Sequence, residues 1–168
     1  MPEPMATRIE RPPYRSYAVI MATFTGGLAA AGVLGRALRR DPQCQTALDF
    51  VVLSAASFKA ARTLSRDQVT SFLREPFVEG HAGDVEDEEP VHTGGMDQAI
   101  GELVTCTRCV GTWAAAGLAA TQIVAPRFGR MLTWSLGAAA ANDFLQAAFT
   151  ALTTKANELE LEPELERY

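Results

Sequence analysis

Residues 16–35 read SYAVIMATFTGGLAAAGVLG and contain no charged side chain. About twenty apolar residues are enough for a helix to cross the hydrocarbon core of a bilayer. Arg15 precedes this run and Arg36 follows it. The pattern predicts a transmembrane helix over residues 16–35, with residues 1–15 as an N-terminal tail. A cleaved secretory signal peptide is the competing interpretation, although its apolar core is usually shorter, about 7–15 residues.

The second apolar run, residues 47–61, is a weaker candidate for a membrane span. It carries Asp49 and Lys59, and ionisable groups at membrane depth are costly unless they are paired or functional. An amphipathic core helix or a helix at the membrane surface is the alternative interpretation.

Two more apolar runs, residues 109–125 and 131–152, lie close together in the sequence. The segment between them, residues 126–130, contains Pro and Gly and predicts a tight turn, so the two runs should form a helical hairpin. The four runs predict an all-α helical membrane bundle with three to four transmembrane helices. Its membrane-embedded part would comprise residues 16–35 and a membrane domain over residues 47–152.

The acidic residues are concentrated outside these runs. The chain has 20 acidic and 15 basic residues and a net charge of −5. Residues 84–89 and 158–166 supply ten of the acids, so the rest of the chain is basic, as expected for loops that face anionic lipid. The negative excess argues against a nucleic-acid-binding protein. The Gly-rich acidic loop 80–95 is predicted to be mobile or disordered. Residues 153–168 are predicted to form an acidic C-terminal tail, either a frayed helix extension or a tail that binds a partner.

The distribution of basic residues predicts how four helices would be oriented. Ten Lys and Arg residues lie on the side that holds both termini and the long central loop, and five lie on the other side. The expected protein is therefore a multi-pass protein of the bacterial inner (plasma) membrane with both termini in the cytoplasm. If the second run does not span, the third and fourth helices are inverted.

A short helix in the membrane interface is predicted directly after the second run. Three apolar residues there recur at i, i+3 and i+4 and fall on one helical face. Two Arg side chains can reach lipid phosphate groups, and a Pro ends the helix. The predicted interfacial residues are Arg66, Val69, Phe72, Leu73, Arg74, Pro76 and Phe77. A connector packed on the bundle is the alternative.

Two cysteines three positions apart, Cys106 and Cys109, are the most specific local feature. A structural zinc needs about four ligands, so a zinc site would need His81 and His92 as well, which lack zinc-finger spacing. A redox dithiol is the second hypothesis, because Arg108 and the start of a helix can stabilise a thiolate. The third is a pair of reduced cysteines that pack as small apolar groups at the membrane boundary.

Lys59 and Asp143 are predicted to form a structural ion pair between helices. Each lies twelve residues into its apolar run, roughly 18 Å along a helix, and the two helices would run parallel. The alternative is a proton or ion path that Asn142 and Gln146 would help to line.

The function expected from these features is helix association rather than catalysis. The sequence has no phosphate-binding Gly loop, no HExxH and no Ser/His/Asp arrangement, so we predict no enzyme. Small residues recur four apart, as at Gly27 and Ala31 or Gly137 and Ala141, which lets helices approach closely in lipid. A scaffold or accessory subunit, in a homo- or hetero-oligomer, is therefore favoured.

Two motifs lie in the central part of the chain. Residues 74–77 form an Arg-x-Pro-Phe element, and residues 102–113 form a Glu-Leu-x-x-Cys-x-x-Cys-x-x-x-Trp element. The motif residues are Arg74, Pro76, Phe77, Glu102, Leu103, Cys106, Cys109 and Trp113. With these motifs, residues 47–152 resemble an uncharacterised family of small bacterial membrane proteins with relatives in mycobacteriophages. The resemblance implies a membrane protein and favours a role for the cysteines, but no activity is assigned to the family.

Overall fold

A computed structural model describes residues 12–39, 46–80 and 88–165 of the chain, the last seven of these by backbone alone. The α-helices are α1 (Tyr14–Ala37), α2 (Ala47–Arg66), α3 (Ser71–Arg74), α4 (Met96–Thr105), α5 (Thr107–Val124) and α6 (Pro126–Leu165). Short 3-10 turns, Gln68–Thr70 and Glu75–Phe77, flank α3. Two short strands, β1 (Val78–Glu79) and β2 (Glu89–Pro90), pair antiparallel. The all-α fold class is therefore confirmed.

Helices α2, α5 and α6 pack against one another, and α1 packs on α5. The Phe24 ring contacts the Trp113 ring edge to face at 5.0 Å between centroids. Further along both helices, Gly35 lies against Ile123. Two contacts in the same order along α1 and α5 mean that these helices run parallel.

Helices α2 and α6 also run parallel, opposite to α1 and α5. Val52 of α2 lies against Gly137 of α6, and one to two turns later Lys59 pairs with Asp143. The chain reverses between α5 and α6, where the Gln122 side chain donates to Thr133 at 2.9 Å. The four long helices therefore alternate in direction along the chain.

The reversal between α5 and α6 is tighter than the predicted turn at residues 126–130. Pro126 opens α6, because proline is favoured at the first position of a helix and pushes the preceding residue out of the α-region. Only Ala125 separates the two helices. Gly129 permits the close packing, since a Cβ atom there would lie 2.5 Å from Gln122 N. The hairpin is present, but the prediction of a five-residue turn is wrong.

The two acidic segments are ordered in part. Within the loop 80–95, which is predicted to be disordered, strand β2 pairs with β1, with Pro90 opposite Val78. After residue 152 the chain continues as part of α6 to Leu165, as the interpretation of a helix extension expects. Residues 81–87 and 166–168 lie outside the described part of the chain.

The core is built from small side chains, whereas large apolar side chains lie outside. The buried apolar residues are Ala56, Ala61, Ala99, Val110, Leu118 and Ala140. Exposed large apolar residues on the long helices include Met21, Val33, Phe50, Val51, Leu145 and Phe149. Small buried residues allow the helix backbones to approach closely, and an apolar exterior of this extent is unusual for a soluble monomer.

Helix α1 is, within the described ranges, the one helix that is by itself long and apolar enough to cross a membrane. Helices α4 and α5 are long and apolar enough to cross a membrane only when they are counted as one span, and they meet at a bend of 87°. A bundle with three to four spans therefore stays a prediction.

Candidate functional site at one end of the bundle

Both sequence motifs lie at the end of the bundle where α1 and α5 begin and α2 ends. The Arg-x-Pro-Phe motif comes shortly after α2: Arg74 is the last residue of α3, and Pro76 and Phe77 lie in the 3-10 turn that follows. The cysteine motif starts in α4 and continues into α5. Gly101 of α4 packs on the Phe77 carbonyl, and a Cβ atom at Gly101 would lie 3.2 Å from Pro90 Cβ. Glycine therefore lets α4 lie directly on the first motif.

Arg74 is the centre of the first motif. Its side chain is fully buried and forms a two-pronged ion pair with Glu88, with Nε 2.8 Å from Oε2 and Nη2 3.0 Å from Oε1. Nη1 donates to the carbonyls of Leu64 and Asp67 and to the hydroxyl of Thr70, at 2.9 to 3.2 Å. A guanidinium is suited to this role because its planar fork offers five donors. Arg74 thus fixes the end of α2 against the segment that leads into β2.

The predicted role of Arg74 at the lipid surface is wrong, because its side chain has no exposed surface. The neighbouring apolar residues do point outward: Val69 is 74% exposed, Phe72 65% and Leu73 47%. Pro76 is exposed and Phe77 half-buried, and Arg66 is exposed and takes part in an interaction. The apolar face predicted for this segment is therefore exposed, whereas one of its two basic residues is buried in an internal ion pair.

Glu102, the first residue of the second motif, connects α4 to α1. Its carboxylate accepts a hydrogen bond from the Tyr17 hydroxyl and one from Gln98 Nε2 at 3.0 Å. Gln98 Oε1 in turn accepts the backbone N–H of Gly94 at 2.9 Å. This chain of hydrogen bonds ties the start of α1 to the turn before α4.

Cys106 and Cys109 form a disulfide across the first turn of α5, with 5.3 Å between their Cα atoms. Cys106 is the N-cap residue, and its sulfur accepts the backbone N–H of Cys109 at 3.3 Å. The expectation of two reduced, packed thiols is therefore not met.

The predicted zinc ligands can be located only in part. His92 is exposed, and His81 lies outside the described residues. Among the residues that are described, no three His, Cys, Asp or Glu side chains cluster as metal ligands would.

Lys59 and Asp143 meet between α2 and α6, with Nζ 2.7 Å from Oδ2. The two side chains are 22% and 42% exposed, and beside them the rings of Phe58 and Phe144 stack at 5.6 Å. The structure thus brings together the two residues that the sequence placed at equal depth. Asn142 and Gln146, which the alternative ion path would use, are both exposed.

Sequence reasoning missed two residues of this end of the bundle. Glu88 was placed in a disordered acidic loop, and Tyr17 was assigned only to the apolar run. Their roles are visible only from their partners in the structure. Glu88 provides the buried carboxylate that pairs with Arg74, and the Tyr17 hydroxyl donates a hydrogen bond to Glu102. The two motifs therefore connect the ends of α1, α2, α4 and α5 to one another.

Comparison with known proteins places this site in a family. The family described as Protein of unknown function (DUF1360) matches residues 52–149. The chain is 34% identical over 90 residues to Sporulation protein YjcA of Bacillus subtilis (strain 168), a match that covers 51% of this chain and 76% of the relative. It is 28% identical over 109 residues to UPF0713 protein YngL of the same organism, covering 60% and 78%. No solved structure matches the chain.

The matched region begins inside α2 and ends inside α6. It includes both motifs, the disulfide and the Lys59–Asp143 pair. Because this match covers more than half of the sequence, the chain belongs to the DUF1360 family of proteins of unknown function.

Proposed function

We propose that this protein is an integral membrane protein that acts by helix association, as a scaffold or accessory subunit. The observation that carries the proposal is the surface of α1. Of its 24 residues only Gly35 is buried, although the run is almost entirely apolar. A helix on a soluble protein buries an apolar stripe against its core and presents polar residues outward. Lipid is the environment in which an apolar helix of this kind is stable without such burial.

The alternating directions of the four long helices support a multi-pass arrangement. If α1, α2, α5 and α6 each enter the bilayer, the end with both sequence motifs lies at one membrane surface. The excess of Lys and Arg on that side favours the cytoplasm. The exposed apolar face of Val69, Phe72 and Leu73 would then lie in the membrane interface.

The Lys59–Asp143 pair fits this arrangement as a link between two membrane helices. An ion pair at membrane depth costs less than either charge alone. Because both side chains are partly exposed in the bundle, lipid headgroups or a neighbouring helix would cover the rest of their surface.

Association through α1 is supported by the open position of Gly27, where an added Cβ atom would meet nothing within 4 Å. Thr23 and Ala30 lie about one turn away on the same helical face and are exposed. By contrast, Gly35 is already used inside the molecule against Ile123. Because small residues let helices approach closely in lipid, we infer that this face receives α1 of a second copy.

Two differently tagged copies, expressed together and extracted in mild detergent, test this association. The wild-type copies should purify together, and Gly27→Leu should reduce the recovered partner about tenfold, since about 1.4 kcal/mol of helix association is tenfold in binding. Ala29→Leu is the matched control, because that exposed position lies about 200° around the helix. Equal loss in both variants, or no joint purification of the wild type, contradicts the proposal.

A further inference from the structure

The disulfide between Cys106 and Cys109 lies at an elbow of the chain. Helices α4 and α5 meet there at an angle of 87°, and Cys106 adopts an extended backbone conformation between them. Cys109 is exposed and Cys106 is half-buried. The bond is therefore within reach of other molecules from one side.

The two sulfurs have different surroundings. Cys106 caps an 18-residue helix and accepts the N–H of Cys109. The positive end of a helix and a donated N–H both stabilise a thiolate over a thiol. Cys109 lies on the exposed first turn, next to the exposed Arg108. Cys106 is thus the better leaving group, and Cys109 is the more accessible target.

We propose that Cys106 and Cys109 form a thiol–disulfide exchange site whose substrates are thiols. An incoming thiolate attacks Cys109 Sγ and forms a mixed disulfide, while the Cys106–Cys109 bond breaks and its electron pair stays on Cys106 Sγ. A second thiolate then attacks the substrate sulfur of the mixed disulfide and releases Cys109 as a thiolate. Two substrate thiols become one disulfide, and their two protons are taken up by the cysteine pair or by water.

A purely structural role accounts less well for this bond. Disulfides stabilise mainly by restricting the unfolded chain, and the effect grows with the length of the closed loop. Here only Thr107 and Arg108 lie between the two cysteines, and both already belong to the first turn of α5. Exposed disulfides are more often labile, regulatory or catalytic than structural.

The test uses the full chain in detergent. Its third cysteine, Cys44, is replaced by Ser, so that only Cys106 and Cys109 can form adducts. The oxidised protein is incubated with reduced glutathione or, separately, with a reduced unfolded protein. Free thiols are then alkylated and the adducts on each cysteine are counted by mass. When the reaction of the intact pair is stopped early by acid, glutathione adducts should be about tenfold more abundant on Cys109 than on Cys106, because attack depends on access and on the leaving group.

Each outcome decides a separate point. Reduction of the pair by glutathione alone supports exchange with small thiols, and oxidation of the unfolded protein supports protein thiols as substrates. A folded protein whose pair reacts with neither reagent, yet is reduced after denaturation, overturns the proposal. Equal adduct rates on the two cysteines overturn the assigned direction of attack. Neither readout depends on membrane insertion or on association through α1.

Discussion

The buried ion pair between Arg74 and Glu88 offers the sharpest test of how this end of the bundle is held together. The substitution Arg74→Met keeps a long apolar side chain but removes every donor. Glu88, whose side chain is only 4% exposed, would then be buried without a partner for its carboxylate. The carbonyls of Leu64 and Asp67 would each lose a donor as well.

Removing one partner of a buried pair costs about 3–5 kcal/mol, because an uncompensated charge stays buried. We expect Arg74→Met to lower the free energy of unfolding by that amount. Glu88→Leu should cost a similar amount, since Arg74 then lacks its counter-charge. The double variant should cost much less than the sum, because a well-packed apolar pair often replaces a buried ion pair with little loss.

The assay is denaturant unfolding of all four proteins in one detergent, followed by circular dichroism. The matched control is Lys155→Met, which removes an exposed pair with Glu158 at 3.4 Å and should change stability by about 0–1 kcal/mol. If the Arg74 and Glu88 effects simply add, or if Arg74→Met is as mild as the control, the clamp described above does not exist.

Three further predictions concern contacts between helices. Asp143→Asn should lower stability by about 1 kcal/mol, because the Lys59 pair is partly exposed; thermal unfolding in detergent measures the loss, and an unchanged midpoint contradicts it. Gly129→Ala should lower the free energy of unfolding by about 1–3 kcal/mol, because the added methyl group forces α5 and α6 apart. Gly117→Ala, with open space around its Cβ position, should raise it by about 0.5–1 kcal/mol. Denaturant midpoints that move in the same direction would refute the packing argument. Tyr17→Phe should cost about 1 kcal/mol through the lost hydrogen bond to Glu102 and speed amide exchange at the start of α1, and unchanged exchange would argue against this link.

The long helices and one inter-helix contact could be predicted because they depend on patterns along the chain. The apolar runs mark α1, α5 and the first part of α6, and equal spacing from the run starts brings Lys59 opposite Asp143. Both follow from helix geometry, because the rise per residue is constant and the number of residues fixes the position along the helix axis.

The buried clamp could not be predicted in the same way. Arg74 looks like a surface residue because it lies beside exposed apolar side chains, and its partner Glu88 lies in an acidic segment with no local signal of order. The burial of this ion pair depends on tertiary packing, since α4 packs on the first motif and on the strand that follows Glu88. The state of Cys106 and Cys109 is also not determined by their spacing, which suits zinc, free thiols and a disulfide equally.

The central claim is that α1 lies in lipid, and cysteine accessibility along α1 tests it most directly. Single cysteines replace Met21, Ala29 or Val33 in the Cys44→Ser background, with the disulfide left intact, and intact membrane vesicles are treated with a water-soluble maleimide. All three positions are exposed on the bundle itself, so a helix in water would label at each of them. We expect Ala29→Cys, which lies inside the apolar run and away from the Gly27 face, to remain unlabelled until detergent is added, and uniform labelling of all three positions in intact vesicles would contradict the account.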